Sequence, residues 1–281
     1  MDVLQKWLEE LDTLLASGDR GAAECYLQDR LSQLEEEGST HSGAYITLLN
    51  ELGSFYRGIS RFEESSQMFK RALEALKLAG LSFSIPYVTT YLNLAGCHRL
   101  MGNTETAVSE YVEIQEVLKG LSSDTALSEE ERIRLAYIKT STLNNIALLY
   151  CDLEKWELAL DSAEQAAKLV FGGAGGEHEA ATTYNNLANI YSRMGRVSDA
   201  DEACHKALEI FDNMPNKNVH HAAALSTFAA LRYQEGDYDK AEAALEQALE
   251  LTEYFFGKNI EYTSAAQSLE QVRAAKKGKV E

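Results

Sequence analysis

Proline is nearly absent from this chain of 281 residues, with two in all, so little stands in the way of long uninterrupted helices. Cysteine is scarce as well. Cys25, Cys97, Cys151 and Cys204 lie far apart without a Cys-x-x-Cys pair, and they read as reduced thiols packed as small hydrophobes. Cys97-His98 and Cys204-His205 make poor metal ligands, because adjacent residues on a helix point about 100° apart and no second pair follows at i+4. Basic residues are outnumbered: 26 Lys and Arg against 44 Asp and Glu leave a net charge of −18. That charge repels a phosphate backbone and an anionic membrane surface, which removes nucleic acid and membrane from the expected partners. No run approaches the ~20 apolar residues of a membrane span, and Met1 to Leu15 alternates acids with leucines where a signal peptide would carry a basic start and an apolar core. The chain reads as soluble and cytoplasmic.

Catalytic signatures are missing too. There is no Gly-x-x-x-x-Gly-Lys-Ser/Thr loop, His-Glu-x-x-His helix or Gly-x-Ser-x-Gly elbow, so neither an enzyme activity nor a cofactor or metal is expected. Gly172-Gly173-Ala174-Gly175-Gly176 follows a helical pattern instead of a strand and has no lysine after it, so it reads as a loop between repeats. The acid runs Glu35-Glu36-Glu37 and Glu129-Glu130-Glu131 read as solvated helix faces, and His220-His221 as the opening of an amphipathic helix.

What the chain does have is repetition. Thr183-Tyr184-Asn185-Asn186-Leu187-Ala188-Asn189-Ile190-Tyr191 closely copies Thr142-Leu143-Asn144-Asn145-Ile146-Ala147-Leu148-Leu149-Tyr150, 41 residues earlier. Looser copies are anchored on Leu52-Gly53, Leu94-Ala95 and Phe228-Ala229. Successive small anchor residues are 42, 52, 41 and 41 residues apart, and such self-similarity argues for one elongated solenoid over two globular domains.

Each unit reads as a helical hairpin. Tyr184, Leu187, Ala188 and Tyr191 fall at i, i+3, i+4 and i+7, Gly195 ends that helix, and Ala200, Cys204, Ala207, Leu208 and Phe211 carry a second stripe. Small residues recur where the two helices would cross: Gly53 with Ala72, Ala95 with Ala107, Ala147 with Ala159 and Ala166, Ala188 with Ala200 and Ala207, and Ala229 with Ala241 and Ala248. A bulky replacement at Ala188 would overpack that crossing at a cost of roughly 1–3 kcal/mol.

These residues resemble the tetratricopeptide repeat, whose helix pair carries an aromatic, Leu-Gly/Ala, Tyr, a turn glycine and spaced alanines. The match is Tyr184, Leu187-Ala188, Tyr191, Gly195, Ala200 and Ala207-Leu208. The 41 to 42 residue period, with Phe171-Gly172, Glu177-His178 and Ala181-Thr182 before the Asn-Asn pair, is similar to the longer-helix repeats of kinesin light chains. Ser65 and Ile114 stand at expected alanines, and Arg232 stands where the helix tyrosine belongs. The long heptad segment that kinesin light chains place before their repeats is not in this sequence, so only the repeat type carries over.

The resemblance implies an all-α, right-handed superhelix of about six helical hairpins. Its parts are a degenerate capping repeat over 1–38, five full repeats over 42–256 and a C-terminal capping helix over 259–275. The ten extra residues of the long interval lie between Gly120 and Leu135. There Leu121-Ser122-Ser123-Asp124 reads as loop, and Ser128 with Glu131 forms a capping box that starts the next helix early, overhanging its neighbours by two or three turns. Lys276, Lys277 and Lys279 form a basic tail that is expected to fray in solvent.

The polar stripe opposite each packing face would line a concave groove. In the best repeat it holds Thr182, Asn185, Asn189, Ser192 and Arg193. Across the repeats the candidate groove residues are Asn50, Arg57, Asn93, Arg99, Asn144, Asn145, Asn185, Asn186, Asn189 and Arg193. Asparagine offers both donor and acceptor to an extended backbone, and arginine selects carboxylates by bidentate pairing. Asn93, Asn145 and Asn186 are equally suited to bonding neighbouring helices, and an arginine to pairing with Glu51 or Asp152. The expected function is a non-enzymatic scaffold that holds a peptide of a partner protein, with acidic or C-terminal carboxylate groups favoured. A regulatory module sensing a signalling peptide is the alternative, and the apolar stripes of the overhanging and terminal helices leave room for a homodimer.

Overall fold

A computed structural model describes residues 3–123, 127–170, 176–215 and 219–278. The described residues are helical hairpins throughout and contain no strand. They fall into two compact units, Met1–Asp124 and Thr125–Glu281.

The first unit consists of α1 (Val3–Ser17), α2 (Arg20–Glu36), α3 (Gly43–Gly58), α4 (Phe62–Leu78), α5 (Ile85–Leu100) and α6 (Thr104–Ser122). The second holds α7 (Glu129–Asp152), α8 (Trp156–Leu169), α9 (Glu177–Arg193), α10 (Val197–Asn213), α11 (Val219–Glu235), α12 (Tyr238–Phe256) and α13 (Ile260–Gly278). Six hairpins and one closing helix result among the described residues, in keeping with the expected all-α class and its hairpin count. The spacing of small residues explains why they close. Ala95, Ala147 and Ala188, and their partners Ala107, Ala159, Ala166, Ala200 and Ala207, have no exposed surface. At Gly53 an added Cβ would lie 2.7 Å from the Phe69 ring, so α3 and α4 approach more closely than any side chain allows there.

All five corners between paired helices of the full repeats are closed by the same backbone bond. The amides of Arg61, Asn103 and Lys155 each donate at 2.8 Å to the carbonyls of Tyr56, His98 and Tyr150. Those of Arg196 and Asp237 donate at 2.9 Å to Tyr191 and Arg232. Each bond requires one left-handed residue just before it. Gly102, Gly195 and Gly236 fill that slot at φ 75°, 74° and 78°, but Ser60 and Glu154 occupy it at φ 62° and 56°.

In three repeats the residue at the helix-tyrosine position reaches the preceding second helix. Tyr56 on α3 donates to Glu24 on α2 at 3.0 Å. His98 on α5 holds the same slot and lies 3.4 Å from Ser66 on α4. Arg232 on α11 fills it with an ion pair to Asp201 on α10 and a second pair to Glu235 at 3.0 Å. Ser65, at an expected alanine, is fully buried because its hydroxyl donates to the Gly53 carbonyl at 2.6 Å.

The overhanging helix is present. α7 runs 24 residues from a capping box in which Ser128 accepts from the Glu131 amide and the Glu131 carboxylate accepts from the Ser128 amide. It begins 18 residues before Ala147, whereas α9 begins 11 before Ala188, which adds about two turns.

Three local expectations are corrected. Leu121 and Ser122 are not loop: α6 continues to Ser122, where the Ser122 hydroxyl donates to the Leu118 carbonyl one turn back, and Ser123 is the turn that ends it, its hydroxyl donating to the Lys119 carbonyl. Asp124 lies outside the described residues. Lys276 does not fray, because α13 reaches Gly278 and Lys276 pairs with Asp239 at 2.6 Å and Glu242 at 2.8 Å; Lys279 lies outside the described residues. Cys25 is exposed, so it is not packed as a small hydrophobe, whereas Cys97 and Cys204 are. Burial raises the thiol pKa of both, that of Cys204 to about 12. Of the glycine run, Gly176 caps the N-terminus of α9 and the other four glycine-run positions lie outside the described residues.

Candidate functional site

In the first unit the polar stripes of α3 and α5 bond to each other. Asn50 turns its Nδ2 to the Ile46 carbonyl of its own helix at 2.9 Å and accepts from the Thr90 hydroxyl at 3.0 Å. Arg57 donates from Nη1 to Asn93 Oδ1 at 3.2 Å. Its guanidinium lies along α5, where a Cβ on Gly96 would come 3.8 Å from Nη1. Arg99 is half-buried near the end of α5. Glu51 is not the counter-ion of an arginine: burial, and then the nearby charge of Asp12, push its carboxyl above the ordinary range.

In the second unit the same asparagine–threonine pairing recurs between α7 and α9, with the direction of the bond reversed. Asn144, 5% exposed, donates to the Thr183 hydroxyl at 2.9 Å and accepts from Asn186 Nδ2 at 3.3 Å. Thr183 and Asn186 are buried as well. Asn145, one residue on, bonds only within its helix, to the Ser141 carbonyl at 2.8 Å. Thus an asparagine three residues before one anchor pairs with a threonine five residues before the next, at Asn50 with Thr90 and at Asn144 with Thr183.

The rung breaks after α9. Asn185 holds the asparagine position, but the answering position on α11 is Ala224, which is fully buried. Asn185 Oδ1 and, one turn earlier, Thr182 Oγ1 are covered from water and have no hydrogen-bond partner among the described residues. Both residues are half-buried, while Asn189 and Arg193 further along α9 are exposed. Of the ten residues picked out by spacing, Asn50, Asn93, Asn144, Asn145 and Asn186 are occupied by helix-to-helix or helix-internal bonds. Asn185, Asn189 and Arg193 share the outward stripe of α9. The threonine half of the rung was not singled out from the sequence, although Thr90, Thr142 and Thr183 all stand five residues before an anchor.

Two buried polar clusters were also missed. His98 Nδ1 lies 2.8 Å from Glu110 Oε2, with Ser66 Oγ on the far side of the ring. The connectivity is that of a Ser-His-acid triad, yet the three residues are 3%, 6% and 8% exposed, so the serine is not presented to a substrate. Burial raises the Glu110 carboxyl against the opposing pull of His98. In the second unit Glu179, 4% exposed, sits 3.0 Å from His178 Nδ1, and the His178 and His220 rings meet edge to face at 4.7 Å. Tyr137 hydrogen-bonds the same carboxylate, and its pKa rises to about 12, first by burial and then by the charge of Glu179.

Among the described residues no group of three His, Cys, Asp or Glu side chains is placed to hold a metal. No described helix is long and apolar enough to cross a membrane. A cleft of about 390 Å³ opens between α9 and α10, lined by Glu177, Tyr184, Lys206, Glu209, Ile210 and Asn213.

The tetratricopeptide-repeat family model matches residues 44–120, 139–213 and 179–254. No curated protein matches the chain. Among solved structures it is similar to BtubC (BKLC) from P. vanneervenii, at 18% identity and TM-score 0.55, over 89% of this chain and 91% of that one. A protein of Podosopora anserina described as a kinesin light chain of nearly identical TPR-like repeats aligns at 15% identity and TM-score 0.54, over 74% of this chain and 94% of its own. Yeast Tom70 aligns at 14% identity and TM-score 0.55, over 92% of this chain and 44% of that one. At these identities the likeness is one of fold.

Proposed function

Since the chain belongs to the tetratricopeptide-repeat family, we propose that it is a non-enzymatic protein-interaction scaffold, one that holds a peptide segment of a partner protein against the polar faces of its first helices. The observation that carries this reading is the outward stripe of α9. Asn50, Asn93, Asn144 and Asn186 are taken up by bonds between helices and Asn145 by its own helix, but among the described residues Thr182, Asn185, Asn189 and Arg193 face outward or carry an unbonded oxygen. Polar atoms covered from water and left unbonded weaken a fold, and a ligand that completes their bonds recovers the loss.

Arginine supports a partner with acidic or C-terminal carboxylate groups. Arg57 is held by a neutral amide at 3.2 Å, which aims its guanidinium without neutralising it, and Arg193 is exposed. Four free cysteines suit a reducing compartment, the cytoplasm. One short segment in such a site binds with micromolar affinity, about −8 kcal/mol, and the arginine contribution falls with added salt.

Affinity purification of the full chain with cross-linking mass spectrometry identifies the partner and the face it touches. The joint substitution Asn185→Ala, Asn189→Ala should then weaken binding of that partner. Unchanged affinity in the double variant rules the α9 face out.

A further inference from the structure

We propose that the cleft between α9 and α10 receives an arginine side chain of a partner protein. The inference rests on the scaffold reading but not on the polar stripe of α9, because the two lie on different faces of that helix. Glu177 and Tyr184, which line the cleft, stand seven residues apart on one stripe. Asn185 and Asn189 lie roughly 100–140° round the helix from it.

The cleft holds about 390 Å³ between Glu177 and Tyr184 of α9 and Lys206, Glu209, Ile210 and Asn213 of α10. Apart from Lys206 and the Tyr184 hydroxyl its polar side chains offer acceptors, and those acceptors can be reached: Glu177, Glu209 and Asn213 are all exposed. One carboxylate stands on each wall, and no ion pair among the described residues reaches either. Asn213 gives its Nδ2 to the Glu209 carbonyl at 2.8 Å, which leaves Oδ1 to accept. Lys206 does not answer these groups, since it is paired at 2.6 Å with Glu202, a residue outside the lining. Its ammonium lies 5.5 Å over the Tyr184 ring, so that ring already draws a cation.

This lining selects its occupant. Two carboxylates and an amide oxygen ask for a donor that carries positive charge and exclude an acid. Tyr184 and Ile210, both half-buried, give an aliphatic stem something to lie along. A guanidinium spreads five donors over a planar fork, so one head group can bond acceptors on both walls, where an ammonium meets them as a point charge. The net charge of −18 draws such a segment toward the chain.

The test selects phage-displayed random twelve-residue peptides on the whole chain carrying Asn185→Ala and Asn189→Ala, and measures the winners by fluorescence anisotropy on the parent and its variants. Winners should contain an arginine whose replacement by citrulline, which keeps the shape and removes the charge, loses about tenfold in affinity, the scale of one charged hydrogen-bonded contact. Glu177→Gln with Glu209→Gln should lose the same factor at an unchanged melting temperature, because both side chains are exposed. Glu63→Gln with Glu74→Gln removes two exposed carboxylates from the first unit and should leave affinity within twofold. Equal weakening by the two pairs would mean steering by net charge alone and overturn the arginine site. So would a selection without arginine-bearing winners, or winners that bind the Glu177, Glu209 variant within twofold of the parent. The α9 stripe survives that failure if peptides selected on the parent chain still depend on Asn185 and Asn189. If they depend on neither pair, both readings fall.

Discussion

Glu154 closes the corner between α7 and α8 at φ 56°, in the slot that Gly195 and Gly236 fill in the next two hairpins. A residue with a Cβ pays for the left-handed conformation with a clash against the following carbonyl. Glu154→Gly should therefore raise stability by about 1 kcal/mol, read as a higher urea midpoint, and a fall in the midpoint would show that the Glu154 side chain matters more than its backbone. Glu51 makes a different case. Its carboxyl is held above the ordinary range by burial and then by Asp12, so the folded chain binds that proton more tightly than the unfolded one. The stability from this group is full at pH values below the ordinary carboxylate pKa and is lost as pH rises through the raised one. Glu51→Gln should thus stabilise the protein at pH 7, and the gain should vanish near pH 4. Urea melts at the two pH values decide it, and an equal gain at both would point to packing instead of charge.

Between elements the rung is the unit to test. Asn144→Ala removes the partner of Thr183 and Asn186, both buried, and should cost about 2 kcal/mol. Asn145→Ala loses only a bond to its own helix and should cost markedly less. Paired thermal melts settle the contrast, and similar losses would mean that the rung adds nothing beyond local helix bonding. The pair also shows what was legible in the sequence. Hairpins, crossings and the long α7 follow from local rules: periodicity, small residues at the crossings, and a Ser-x-x-Glu box. The end of α6 did not, because Ser122 and Ser123 count as loop formers until their hydroxyls are seen bonding carbonyls one turn back. Site residues were harder still. Asn144 and Asn145 are adjacent and alike, and what separates them is a threonine 39 residues away. A helical period places a polar side chain outside its own hairpin, but it does not say whether water or the next helix is waiting there. The same blindness hid His98 as a substitute for the helix tyrosine, and it hid the carboxylates on other helices, Glu110 and Asp201, that hold His98 and Arg232.

At the scale of the whole chain, α13 serves as a lid on the last hairpin of the second unit. Ala265, Leu269 and Val272 are buried in one cluster with Ala241, Ala244 and Leu245 of α12. Arg273 reaches Glu242 at 2.7 Å and Glu246 at 2.6 Å beside the Lys276 pairs, while Glu261, Gln267, Glu270 and Gln271 face outward. A stop codon after Lys258 should bare the apolar face of α12 and drive association, since the end of a repeat array needs a polar outer face. Light scattering during size exclusion would register it, and a truncated chain with unaltered mass and melting temperature would deny α13 that role. The corners have a consequence of another kind. All five are sealed by one main-chain link of 2.8 or 2.9 Å between equivalent positions, with no side chain taking part. A segment running from one corner to the next, a second helix and the following first helix, therefore starts and ends on the same backbone geometry, which makes the corners the places where such a segment could be duplicated or removed without rebuilding the turn.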